Sequence, residues 1–262
     1  MILAEFNPIK AVVAVPLFTF TVAGHTVVVS NHMLTVTIAA LVLLIVLPIA
    51  MRKCTITPRG THNAVEAICQ YIREDIARPL LHEKTDAYIG YIWTIFFFIL
   101  TMNLVSLVPT DSMVTLATGT ESRFGGPVTA NIWITGAMAF VSSVLVHVSG
   151  MRRQGVVRYF ATLAPKVMWP LMPLLYLLEV VTVFMRPFTL AIRLFVNMVA
   201  GHVVLATIIG LILVFRSYVA ATASVLAAAA LSTLELLVAF LQAFIFMFLT
   251  TVYISFAVEP EH

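Results

Sequence analysis

Charge is what this sequence has least of. Its 15 lysines and arginines and 12 aspartates and glutamates make up 10% of 262 residues, against 61% hydrophobic residues and a mean hydropathy of +1.04. A soluble domain carries roughly 25% charged residues, so this chain cannot clothe a water-facing surface. Cysteine is scarce too: Cys54 and Cys69 fall outside any Cys-x-x-Cys spacing, and no disulfide framework is expected. Neither a Gly-x-Ser-x-Gly elbow nor a His-Glu-x-x-His helix occurs, which argues against an intramembrane hydrolase. The net charge of +3 is spread over short loops and forms no stripe for nucleic acid. The start, residues 1–24, has Glu5 and one Lys10 before a short apolar stretch and lacks a strong small-residue cleavage site, so no cleavable signal is expected.

What is present is a series of apolar runs, several of them meeting the roughly 18-residue threshold for a spanning helix. The expected architecture is all-α and polytopic, with about five membrane helices and one amphipathic surface helix. Residues 1–32 form an outer-side N-terminal segment, 33–258 a single membrane domain, and 259–262 a tail. Spans are expected at about 33–51, 88–108 and 128–148, followed by two longer helices at about 169–215 and 219–257. Between the first two spans, Val65, Ile68, Ile72, Ile76 and Leu80 recur at helical spacing with Glu66, Gln70, Arg73 and Glu74 among them. That pattern predicts a helix lying on the membrane with its apolar side down.

Basic residues set the expected orientation. Arg52, Lys53, Arg59, Arg73, Arg78 and Lys84 follow the first span; Arg152, Arg153, Arg158 and Lys166 follow the third; only Arg123 lies between the second and third. Both basic loops are therefore assigned to the cytoplasmic side (the matrix side in an organelle), with the N-terminus outside.

The last two helices are too long for a simple crossing. Pro173 and Pro187 offer bends in one, and Glu235 is the only charge between Tyr218 and Val258 in the other. Joined near Arg216-Ser217-Tyr218, they read as a tilted intramembrane hairpin. It carries Glu179, Arg186, Arg193, Asn197, His202, Glu235 and Gln242. An arginine at mid-bilayer costs at least about 2.5 kcal/mol and cannot shed its proton. Arg193 therefore needs a partner or a watery pocket, or else serves to pin helices. At about 100° per residue, Asn197 shares the face of Arg193, Glu179 lies close to it, and His202 points the opposite way. On the second helix Glu235, Gln242 and Tyr253 form one stripe. Folding the hairpin about a turn between Tyr218 and Val219 sets His202 opposite Glu235 and Arg193 within a helical turn of Gln242. A fixed cation between titratable sites would stop protons passing straight through, so each would have to leave on a moving carrier. His202 and Glu235 as a plain interhelical contact, Gln242 as helix glue and Glu179 as an interfacial residue are the plainer readings.

The stretch Pro187-Phe-Thr-Leu-Ala-Ile-Arg-Leu-Phe-Val-Asn-Met-Val-Ala-Gly-His202 resembles the central motif of subunit a of F-type ATP synthases, as does the run from Glu235 through Gln242 to Tyr253. Upstream, Asn103-Leu-Val-Ser-Leu-Val-Pro109 and Pro127-Val-Thr-Ala-Asn-Ile-Trp-Ile-Thr135 resemble the signatures of that family's second and third spans. The resemblance covers about residues 33–258. It implies that Arg193 is the stator arginine beside a rotating ring of c subunits and draws each ionised c-subunit carboxylate. It implies further that His202 and Glu235 line the outer proton path, that Glu179 and Thr182 line the inner one, and that Asn197 and Gln242 hold the arginine's surroundings. The implied partners are the c-ring, peripheral-stalk b subunits, other synthase subunits, the lipid membrane and protons, with no nucleic acid. No catalysis on this chain, no cofactor and no metal are implied.

Three departures stand out. Many bacterial members have the acid and the histidine of the His202/Glu235 pair exchanged, and the arrangement here resembles mitochondrial members. Val196 stands where a smaller residue, often glycine, is usual, and Arg186 replaces a frequent lysine. The exchanged pair hints at an organelle or a related bacterium; the expected location is a bacterial inner (plasma) membrane, with the mitochondrial inner membrane as the alternative. A secondary transporter using Arg193 to bind an anionic substrate is the competing function, although no inverted repeat is visible.

Overall fold

A bilayer core offers backbone amides no partner, so each must be bonded within its own segment, and helix results wherever the apolar runs are long. The computed structural model describes residues 13, 15–22, 25–50, 60–108, 126–162, 171–215 and 217–258. Its helices are α1 (Asn31–Ala50), α2 (Thr61–Tyr71), α3 (Arg78–Leu81), α4 (Thr85–Leu107), α5 (Ile132–Gln154), α6 (Val156–Thr162), α7 (Met172–Phe215) and α8 (Tyr218–Val258), with a π-helical stretch, Ile72–Ala77, between α2 and α3. Five helical stretches among the described residues are long and apolar enough to cross a membrane, as the apolar runs predict. At 44 and 41 residues, α7 and α8 are each about twice the roughly 30 Å hydrocarbon thickness at about 1.5 Å per residue.

Helix boundaries follow local chemistry. The third span starts at Ile132, four residues later than its hydropathy suggests, because Asn131 is extended (φ −103°, ψ 113°) and its Oδ1 accepts the Trp133 N–H at 3.0 Å. That is an N-cap. The helix then runs on to Gln154, with Arg152 and Arg153 in its last turn where the macrodipole favours cations. Gly155, at φ +83°, ends it and donates its N–H to the Met151 carbonyl at 2.9 Å. Threonines inside the apolar helices bond their own backbone: Thr94, Thr207, Thr233 and Thr251 each donate to the carbonyl four residues back at 2.7–3.0 Å.

Ahead of α1 lies an element the hydropathy pattern does not announce. β1 (Pro16–Val22) pairs antiparallel with β2 (His25–Ser30), in register from Phe18↔Val29 to Val22↔His25. β-branched Thr19, Thr21, Val27, Val28 and Val29 favour this pairing. The chain enters α1 directly from β2, and Asn31 Oδ1 accepts both Val15 N–H and His32 N–H at 3.0 Å.

The chain forms two compact units, and the residues of α7 and α8 are divided between them. The first comprises residues 1–45, 98–135 and 193–242. There Ala130, Met198 and Ala239 pack together with Leu107 and Val199. Asn103 Nδ2 donates to the Ala239 carbonyl at 3.2 Å, and Ser106 Oγ accepts Val128 N–H at 3.1 Å. The second unit comprises residues 46–97, 136–192 and 243–262. Here the amphipathic stripe is turned largely into the protein: Ile72 and Ile76 are 1% and 5% exposed, while Val65 and Ile68 remain half-buried. Ser255 donates to the Leu80 carbonyl at 2.6 Å, Gln154 to the Ala257 carbonyl at 2.8 Å, and Trp93 to the Cys69 carbonyl at 3.1 Å.

Cys54, Arg52, Lys53, Arg59, Asp111, Glu121, Arg123, Lys166, Arg216 and the tail 259–262 lie outside the described residues. The orientation argued from the basic loops rests largely on them and stays an expectation.

Candidate functional site

In the first unit the hairpin brings its acid to its histidine's neighbour. The Glu235 carboxyl of α8 lies against Gly201 of α7, the residue before His202, so closely that a Cβ built on Gly201 would overlap Oε1. This places the facing register within one residue of that expected from the turn. The pair is not a hydrogen-bonded one. His202 Nε2 and both Glu235 carboxylate oxygens are buried without any hydrogen-bond partner. Each such atom costs about 1–3 kcal/mol unless water reaches it.

Other buried polar groups of this unit share that condition. His32, 1% exposed at the start of α1, has its Nδ1 at 3.3 Å from Asn131 Nδ2, while its Nε2 has no partner. Asn103 Oδ1 and Thr129 Oγ1 are likewise buried and unpartnered. Asn103 and Asn131 belong to motifs visible in the sequence, but the burial of Asn103 and the approach of Asn131 to His32 are tertiary facts that no spacing rule supplies.

Arg193 is half-buried on α7, between fully buried Leu194 and buried Ala191. Among the described residues it forms no ion pair and no hydrogen bond. Asn197 is half-buried one turn on, and Val196 between them is 51% exposed. Gln242 is 5% exposed and makes no hydrogen bond to Arg193. The expected Arg193–Gln242 layer thus has no direct bond holding it.

The second unit holds a separate polar cavity of about 300 Å³, bounded by α5, α6, the first half of α7 and the end of α8. Glu179 lines it, and its Oε1 accepts from Arg186 Nη2 at 3.0 Å. The Arg186 guanidinium also sits 5.1 Å over the Tyr253 ring, a cation–π contact that ties α7 to α8. His147, Tyr159 and Gln154 are among its other polar lining residues. Thr182 is exposed, donates to the Leu178 carbonyl at 2.8 Å and does not line this cavity. One face of α7 therefore separates Glu179 and Arg186 from Thr182. No group of three or more metal-ligating side chains occurs among the described residues.

A helical bundle with apolar spans, two overlong final helices and buried polar side chains along both defines a polytopic helical membrane protein. Residues 33–255 match the family model described as "ATP synthase A chain", and the chain belongs to that family. Similar relatives include "ATP synthase subunit a" of Anaeromyxobacter sp. (strain Fw109-5), 38% identical over 89% of this chain and 56% of the relative. Proteins of the same name from Chloroherpeton thalassium (34% identical, covering 92% of this chain and 69% of the relative) and Chlorobium phaeobacteroides (32%, 98% and 73%) are also similar. The chain thus spans little more than half the length of the Anaeromyxobacter relative.

Proposed function

We propose that this chain is the non-catalytic, proton-translocating stator subunit of a rotary ATP synthase in a bacterial inner membrane. It passes protons through two offset half-channels to and from a ring of c subunits, with peripheral-stalk b subunits and other synthase subunits as further partners, and ATP chemistry occurs on those other subunits. The observation that carries this reading is Arg193: a cation that cannot be neutralised, half-buried in an apolar helix, with no acid among the described residues paired to it. Its anion must come from elsewhere, and the ionised carboxylate of a passing c subunit is the group the family offers.

The two polar regions suit the half-channels. The unpartnered buried atoms of His32, Asn103, Thr129, His202 and Glu235 mark a route for water in the first unit, on the outer path. The cavity around Glu179 serves the inner path. Asn197 and Gln242 shape the arginine's surroundings, and Thr182 contributes from the outer face of α7.

Co-purification tests this. Mild-detergent extraction of the tagged chain should bring down a ring of small two-helix proteins, each with one acid in an apolar helix. Recovery of the chain without any such ring, from membranes in which it is abundant, would count against the proposal and favour a self-contained transporter.

A further inference from the structure

The cavity around Glu179 contains two groups that the account above leaves idle. Tyr159 of α6 and His147 of α5 lie with the phenol oxygen 2.7 Å from the imidazole Nδ1. The approach is built in: Tyr159 is 7% exposed, and its ring covers Gly150, three residues on from His147, where a Cβ would overlap Tyr159 Cε2. Burial pushes the Tyr159 hydroxyl above its usual range, an effect only partly offset by the Arg186 charge. The phenol therefore keeps its proton, and with the neutral ring in its Nε2–H tautomer it donates to Nδ1. The charged and titratable groups sharing this cavity are Glu179 and Arg186 from α7 and Tyr253 from α8.

We propose that Tyr159 and His147 form a proton relay that connects this cavity with the α6 end of the unit. The step balances as a hop. A proton binds the Tyr159 oxygen as the phenol's own proton passes to His147 Nδ1, and the Nε2 proton leaves into the cavity toward Glu179. One proton enters, one leaves, and the net charge of the pair is unchanged. Exchange with cavity water, which takes the proton from Nδ1 and returns one to Nε2, restores the starting tautomer with no net gain or loss, and the reverse sequence carries protons the other way. The relay rests on the reading of Glu179 as part of a proton path.

The test uses inverted membrane vesicles carrying the complete complex, with ATP-driven acidification as readout and immunoblotting to verify equal amounts of the subunit. His147→Ala should slow the initial rate about tenfold. That is less than the roughly 10²–10⁴-fold typical of a positioned proton-transfer group, because water can also occupy a 300 Å³ cavity. Millimolar imidazole should restore much of the lost rate in this variant and leave the wild type unchanged. Tyr159→Phe should be similarly slow, and the double variant no slower than either single. A wild-type rate in both single variants overturns the relay, as does a slow His147→Ala that imidazole does not rescue, which marks a merely structural contact. Arg193→Ala run in parallel separates the two levels: if it fails to pump while the His147 and Tyr159 variants pump normally, only the relay falls.

Discussion

Arg193→Ala should abolish ATP-driven proton pumping while the subunit remains in the membrane at its normal level. The two halves of this expectation have different physical origins. Placing an arginine at mid-helix in a bilayer costs at least about 2.5–3.5 kcal/mol, and Arg193 makes no hydrogen bond or ion pair with the described residues that would offset it. Removing the side chain should therefore not weaken insertion or folding. Function is another matter. At about 4 Å and an effective dielectric of about 20, a fixed cation favours a facing carboxylate by about 4 kcal/mol, which is about three decades in the fraction ionised. On the proposed function, each carrier without it would hold its proton past the stator, and rotation would no longer be tied to release. Arg193→Lys should rescue little, since a lysine buried among apolar side chains can lose its proton where arginine cannot. The measurement is acidification of inverted vesicles, with the retained amount of subunit as control.

The second large effect concerns His202 and Glu235, the pair proposed for the outer path. His202→Glu alone would set two carboxyls near one another, and Glu235→His alone two imidazoles, and either should lower pumping by an order of magnitude or more. The exchange of both should recover a substantial part. The room for it is visible: Glu235 lies against Gly201 rather than against a side chain, so a ring at position 235 meets a surface without a Cβ. Because neither residue is held by a hydrogen bond to a described partner, the exchange breaks no existing bond. A double variant no better than the worse single would show that the two do not act as one pair.

The spans could be read from the sequence because each depends on a single quantity, the length of an apolar run. The end of the second, at Leu107 before Pro109, needed no tertiary information. The start of the third did: hydropathy alone continues back through Val128, whereas the Asn131 side chain caps the helix later. The β1–β2 hairpin went unread although β1 alternates from Phe18 to Val22, because β2 is a continuous Val27-Val28-Val29 run and the pairing is fixed by contacts such as Val15 with Asn31. The stripe at Ile72 and Ile76 is amphipathic whether it meets lipid or protein, and only the packing shows that it meets protein.

The site divides in the same way. Arg193, His202 and Glu235 stand out because charge in an apolar run is conspicuous, and the hairpin's symmetry brought the last two within one residue of register. Arg186 drew notice as a charge, but its bond to Glu179 and its seat over Tyr253 depend on α8. Thr182 looked equivalent to Glu179 by helical turn, yet the two face different surroundings. His147 and Tyr159 gave no signal at all, since a lone histidine near the end of one span and a tyrosine beyond a glycine break have no pattern to join them.

The central claim is that the face of α7 bearing Arg193 meets a rotor helix carrying an acid, and cysteine cross-linking tests it most directly. Val196 is exposed, three residues from the arginine. With Val196→Cys in the intact complex, and cysteines introduced in turn along the acid-bearing c-subunit helix, oxidation should give a subunit dimer at positions within a turn of that acid. Leu237→Cys, exposed on α8, serves as the comparison. Cross-links from position 196 that fail at every rotor position, in a complex that still pumps, would contradict the account.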